Sequence, residues 1–134
     1  MSSTLDELQQ ARYVSLATLR RSGVAVATPV WCAFENGDGY VFSAADAGKV
    51  KRLRVSPRAR LAVCDVRGRL LGGWHEASAQ IVSEPAEIAR ALRSLHRKYG
   101  WQMWLADAGS KLTGRFGRRA YIRVRIVQTE APSS

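Results

Sequence analysis

Tyr13-Val-Ser-Leu-Ala-Thr-Leu19, Arg20-Arg-Ser-Gly23, Val24-Ala-Val-Ala-Thr-Pro-Val-Trp-Cys-Ala-Phe34, Asn36-Gly-Asp-Gly39 and Tyr40-Val-Phe-Ser43 together decide the fold. β-branched and aromatic residues fill three runs, and each gap holds the glycine or Asn-Gly pair that a tight hairpin needs. The stretch therefore predicts three antiparallel strands in succession. Pro29 marks Val24–Phe34 as an edge or bulged strand, because proline has no N–H to give to a ladder.

Outward from that stretch, Thr4-Leu-Asp-Glu7 matches a capping box and predicts a short helix to about Gln10. Lys49–Val55 has helical spacing with Val50, Leu53 and Val55 turned inward, and Ser56-Pro57 ends it. Arg58–Cys64 alternates basic and apolar residues and reads as a strand, closed by a turn at Asp65-Val-Arg-Gly68. Trp74–Ser83 is a fifth strand. Ser83 is the expected cap of the next helix, with Pro85 in its first turn. Ile88, Ala91, Leu92, Leu95 and Tyr99 share one face of that helix, and Gly100 stops it. Trp101–Ala108 has room for a second helix. Tyr121–Val127 is a sixth strand, with Ile122, Val124 and Ile126 on one side and Tyr121, Arg123 and Arg125 on the other. Hairpins with few helices argue against parallel βαβ units. The reading is mainly β: a small antiparallel barrel with peripheral helices, since closure removes sheet edges.

The 134 residues, 46% hydrophobic and 24% charged, suit one globular domain, 1–134, that buries roughly two thirds of its unfolded surface without disulfides. Its core is expected over about 11–127, with a helix at 4–10 and a disordered tail at 129–134. Cys32 and Cys64 sit in apolar stretches with no Cys-x-x-Cys spacing and read as buried reduced thiols, and neither His75 nor His96 has metal-ligand spacing to a second donor. No metal site is expected. No apolar run reaches the roughly 20 residues of a membrane span, and Asp6 and Glu7 stand where a secretory leader would be basic. A cytoplasmic location with no membrane partner is the expectation.

The net charge is +10, and residues 49–72 carry eight basic groups against one acidic, Asp65. Such a cluster points to an anionic partner. Gly48-Lys-Val-Lys-Arg-Leu-Arg54 sets cations at a helix start, where backbone amides and the dipole already favour an anion. Lys49, Lys51 and Arg52 are therefore candidate phosphate ligands; a solvated basic helix face is the plainer reading. Nucleic acid, met through 49–72 and 115–125, is a weaker partner, because no recognition helix or RNA motif is present. Ala25–Trp31 is an apolar strand with one hydroxyl, Thr28, where a flat aromatic ring can lie, or it is simply core. Trp31, Trp74, Trp101 and Trp104 suit either packing or a planar ligand. His75 and Glu76 are an acid and base in type, but neighbours on a strand face opposite sides. No catalytic residue is singled out.

Taken in order, Tyr13–Leu19 with Arg-Ser-Gly, Val-Ala-Thr-Pro-Val-Trp31, Gly48-Lys-Val-Lys-Arg-Leu-Arg-Val-Ser-Pro57, Val63-Cys-Asp-Val-Arg-Gly-Arg69 and Arg97-Lys-Tyr-Gly-Trp101 resemble the pyridoxamine 5′-phosphate oxidase-like flavin and deazaflavin oxidoreductases, specifically small members that use coenzyme F420. The resemblance covers about residues 11–127. It implies a six-stranded split barrel of the FMN-binding type, a homodimer, and two cofactor sites at the dimer interface. It implies that Lys49, Val50, Lys51 and Arg52 hold the phosphate and acidic tail, and that Thr28, Pro29, Val30 and Trp31 lie along the ring and ribityl chain. Ser43 falls near the phosphate and Trp74 at a wall of the site. The sequence departs from the pattern at Ala44 and Ala47, where relatives carry polar side chains beside the basic helix. The implied activity is hydride transfer between F420 and an unsaturated or quinone-like small molecule. FMN on the same barrel is the alternative cofactor, and a non-catalytic cofactor- or nucleic-acid-binding protein is the alternative function. The Arg115–Arg119 segment either meets the acidic tail of F420 or is a surface turn.

Overall fold

A computed structural model describes residues 3–114 and 118–127, apart from the side chains of Ser3 and Thr4. The Thr4 cap, the 129–134 tail and residues 115–117 of the Arg115–Arg119 segment lie outside the described residues. The elements run α1 Ser3–Gln10, β1 Tyr13–Leu19, β2 Ala25–Val30, β3 Ala33–Glu35, β4 Asp38–Ala44, α2 Gly48–Val55, β5 Arg58–Cys64, β6 His75–Val82, α3 Pro85–Tyr99, α4 Trp101–Leu112 and β7 Arg119–Ile126. All seven strands form one antiparallel sheet in the order β2-β1-β5-β6-β7-β4-β3.

That order forces the sheet to curl. β2 and β3 are its two opposite edges, yet only Trp31 and Cys32 separate them along the chain. Three residue steps reach at most about 11 Å. The edges must therefore come together at Trp31–Cys32 without pairing, which is a split barrel. The expected single strand Val24–Phe34 is broken there, and the break turns six strands into seven. Pro29 sits on edge strand β2, opposite Ser15, with its missing N–H costing no ladder bond.

Local chemistry sets the turns. Asn36 and Gly37 both have positive φ, 53° and 86°, and join the paired residues Glu35 and Asp38 in a two-residue hairpin. Gly23 N–H returns to the Arg20 carbonyl at 2.8 Å to close the β1–β2 turn.

The barrel interior is filled by alternating residues such as Val14, Leu16, Val41, Leu61, Ile122 and Val124. Helix α2 covers one mouth by inserting Val50 and Leu53. Val55, expected inward, is instead 62% exposed, because at about 100° per residue it lies on the far side of the helix from Leu53. Outside the barrel, α3 lays Ala91, Leu95 and Tyr99 over the outer faces of β3 and β4. Its N-cap is Glu84 and not Ser83, since Pro85 takes the first helical position. Helix α4 runs past Ala108 to Leu112. No helix among the described residues is long and apolar enough to cross a membrane.

Candidate functional site

The site grows from the Trp31–Cys32 crossover. Tyr99, at the end of α3, accepts the Cys32 N–H on its hydroxyl at 3.0 Å and donates to the Arg12 carbonyl at 3.0 Å. Lys98 Nζ donates to the Cys32 carbonyl at 2.7 Å. Both polar groups of the peptide at Cys32 are thus satisfied by α3, and burial pushes the Cys32 thiol up to about 12. The Tyr99 ring also stacks on Trp31, with centroids 4.7 Å apart and planes 11° from parallel, while Phe42 of β4 meets Trp31 edge-on at 6.2 Å. Trp31 is therefore held as a fixed plane.

Beside it opens a cavity of about 340 Å³, floored by Pro29, Val30 and Trp31 and walled by Phe42. Tyr13 of β1, Val66 of the β5–β6 loop and Ala106 of α4 complete the apolar lining, and Lys49 stands on the rim. Burial, and secondarily the Arg52 charge, lower the Lys49 pKa from the ordinary lysine value. None of the ion pairs among the described residues involves Lys49, Lys51, Arg52 or Arg54. The first turn of α2 contains no acid, and its N-cap, Ala47, supplies no side-chain bond. An unpaired positive charge thus stands at an aromatic-walled cavity.

A second cavity, of about 730 Å³, lies against the same Phe42 and is lined by Ser43, Asp46, Ser110, Arg118 and Arg119 among others. Arg119 is a built wall of this space. Its guanidinium donates to Asp107 at 2.8 Å and to Ser110 Oγ at 3.0 Å, and lies 4.4 Å from the centre of the Phe42 ring. The other Asp107 oxygen meets His96 Nε2 at 2.5 Å.

The structure brings Pro29, Val30, Trp31 and Lys49 together in the first cavity and Ser43 into the second. Thr28 is half-buried beside them on β2, and its buried Oγ1 has no hydrogen-bond partner among the described residues. Val50 departs from its expected place: it is wholly buried in the barrel core, and its N–H is bonded to the Ala47 carbonyl. Lys51 is exposed, while Arg52 turns back to donate to Thr18 Oγ1 at 2.6 Å. Trp74 is 40% exposed and lines neither cavity. Ala44 lines the second cavity, where it offers no polar contact. His75 and Glu76 stay apart from both, with Glu76 paired to Arg60 at 2.8 Å.

Sequence reasoning missed Phe42, Tyr13 and Ala106, whose apolar character reads as core. Val66 carried a usable signal, an apolar residue at the tip of a turn. Leu70, Leu71 and Trp74 of the same loop are exposed as well, and α4, which brings Ala106 to the cavity, exposes Trp101, Trp104, Leu105 and Leu112 at helical spacing.

The family model described as pyridoxamine 5′-phosphate oxidase matches residues 3–131. No curated protein matches the sequence. Among solved structures the fold is similar to HutZ, the heme storage protein from Vibrio cholerae, at 13% identity and a TM-score of 0.68, covering 94% of this chain and 89% of that one. It is also similar to a conserved hypothetical protein from Mycobacterium tuberculosis, at 21% identity and a TM-score of 0.64, covering 100% and 94% of the two chains. An F420 reductase is 15% identical with a TM-score of 0.61, covering 96% and 97%. At these identities the likeness is one of fold.

Proposed function

The chain belongs to the pyridoxamine 5′-phosphate oxidase family, and from that premise we propose that it is an F420-dependent oxidoreductase acting on an unsaturated or quinone-like small molecule. The observation that carries this reading is Lys49, a half-buried cation with no carboxylate partner among the described residues, on the rim of a cavity with a flat aromatic floor. An anion bound there restores to Lys49 the solvation lost on burial. A planar ring suits Trp31 and Pro29. The unpartnered Thr28 hydroxyl offers a hydrogen bond to a polar group of the same ligand.

In this reading Pro29, Val30 and Trp31 hold the ring, Thr28 bonds the chain that leaves it, and Lys49 and Lys51 meet the phosphate. Ser43 and Arg118, which line the adjoining cavity, would meet a longer acidic tail, a feature that F420 has and FMN lacks. Bound there, the deazaflavin supplies an electron pair as hydride, with solvent as the proton source. The protein needs no nucleophile of its own. Its tasks are to fix the ring plane through the Trp31–Tyr99 stack and to exclude water with Phe42, Val66 and Ala106.

The reading includes a second copy of the chain. Val66 and Ala106 of the first cavity belong to the loop that exposes Leu70, Leu71 and Trp74 and to the helix that exposes Trp101, Trp104, Leu105 and Leu112, and a partner covering both segments would bury these side chains and close the site. A cytoplasmic location accompanies it. FMN is the alternative cofactor, favoured by Ala44 and Ala47, which leave fewer contacts for a long anionic tail.

Oxidation of reduced F420 by menadione, followed by the return of F420 absorbance, tests the proposal. Turnover that rises in KM for F420 in Lys49→Met supports it. Turnover with reduced FMN alone assigns the alternative, and turnover with neither removes the enzyme reading.

A further inference from the structure

Arg52 belongs to the basic run at the start of α2, yet it does not point its charge at the cavity that Lys49 borders. Its Nε–H donates to Thr18 Oγ1 at 2.6 Å, and Thr18 is wholly buried on β1, continuing the inward series Val14, Leu16, Thr18. The guanidinium lies back across the start of its own helix, so close that a Cβ on Gly48 would stand 2.9 Å from Nη1. Glycine at 48 is what leaves it that path. Val50 and Leu53 enter the core from the same helix. Two apolar contacts thus hold the body of α2, and one charge-assisted hydrogen bond spans its first turn, which carries Lys49.

We propose that Arg52 is a positioning residue: through Thr18 it locks the first turn of α2 onto β1 and so holds Lys49 at the rim of the cavity. The proposal rests on the reading of that cavity as an anion-binding cofactor site. It differs from the resemblance, which makes Arg52 itself a ligand of the phosphate. The two roles predict opposite signs. If Thr18 holds Arg52 for the sake of Lys49, deleting the Thr18 oxygen weakens cofactor binding. If Arg52 binds the phosphate directly, the same deletion frees the guanidinium, and binding is unchanged or tighter.

The experiment has two readouts on the same variants, Thr18→Val, Thr18→Ser and Arg52→Met, with Lys49→Ala as the binding control. The first is the rate of Lys49 acetylation by acetic anhydride in ligand-free protein, read by mass spectrometry against Lys51 as internal reference. The expected result is a several-fold faster Lys49 rate in Thr18→Val and in Arg52→Met, restored in Thr18→Ser. The second is the Kd for F420 and for FMN. Thr18→Val is expected to weaken it about tenfold, part or all of the loss caused by Lys49→Ala, and to cause no further loss when added to Lys49→Ala. An unchanged Lys49 rate in Thr18→Val and Arg52→Met overturns the proposal, as does unchanged or tighter binding in Thr18→Val, or an additive double variant. If wild-type protein binds neither cofactor, the cavity reading fails, and the acetylation rates still decide the lock. Arg52→Met alters only a half-exposed side chain and keeps the test open should Thr18→Val fail to fold.

Discussion

Tyr99 lies flat against Trp31, 4.7 Å between ring centroids, and its hydroxyl takes the Cys32 N–H on the far side of the same two-residue crossover. The chain changes sheet edge at that point, so one side chain both stacks the aromatic floor of the cavity and satisfies the backbone that makes the barrel close. Tyr99→Phe keeps the stack and leaves the buried Cys32 N–H without its acceptor. Unfolding stability should fall by about 1–3 kcal/mol, read from urea denaturation, with the near-ultraviolet signal of Trp31 retained. A loss of that signal would show that the hydroxyl, and not ring packing, orients Trp31.

Cys32 is wholly buried, with its thiol pushed up to about 12, and burial also raises Cys64. Neither should react with a disulfide reagent at pH 8 on the timescale of a free thiol. Two equivalents should appear together on unfolding in urea. A fast-reacting thiol in native protein would place one of them at the surface.

The Asn36-Gly37 turn was legible because Asn-Gly is among the few dipeptides that adopt two positive φ values cheaply. The break at Trp31–Cys32 was not, because an apolar run without turn residues gives no sign that it leaves one sheet edge for the other. Its cause is the barrel itself, a long-range constraint. At the site, Lys49 was legible from cations crowding an acid-free helix start. Phe42 was not, since its aromatic ring in an alternating strand reads as core, and Arg52 was read by charge alone because its partner Thr18 is 34 residues away.

Both carboxylate oxygens of Glu87 in α3 accept from Nη1 of Arg123 at 2.7 Å, one of them also accepts from the Tyr40 hydroxyl at 3.1 Å, and the Arg123 bond, chiefly, holds its carboxyl below the ordinary glutamate value. A carboxyl lowered by folding stabilises fully above its unfolded pKa of about 4.3. That contribution is lost as pH falls below this value and through the lowered folded one. Urea midpoints measured from pH 7 to pH 3 should drop less steeply at the acid end in Glu87→Gln than in wild type. Parallel curves would show that the pair does not contribute to acid stability.

The apolar patch around Leu71 and the α4 stripe at Trp104 are expected to be covered by a second copy. Leu71→Glu and Trp104→Glu should each shift the sedimentation coefficient from dimer to monomer while leaving the far-ultraviolet spectrum unchanged. They should also weaken cofactor binding at concentrations where wild type is dimeric. A wild-type monomer, or variants that remain dimers, would place the contact elsewhere or remove it.

The Trp31–Lys49 cavity is proposed to bind a phosphate-bearing tricyclic cofactor, F420 in preference to FMN. Its most direct test is a fluorescence titration with each cofactor, on wild type and Lys49→Met, across pH 7 to 10. The account predicts saturable binding, tighter for F420, and a loss of about tenfold to a hundredfold in Lys49→Met, the size of one charge-assisted bond. Because burial lowers the Lys49 pKa, wild-type affinity should be full below that lowered value and fall as pH rises through it, a slope absent from Lys49→Met. Binding of neither cofactor, or equal affinity in wild type and Lys49→Met at pH 7, would contradict the account.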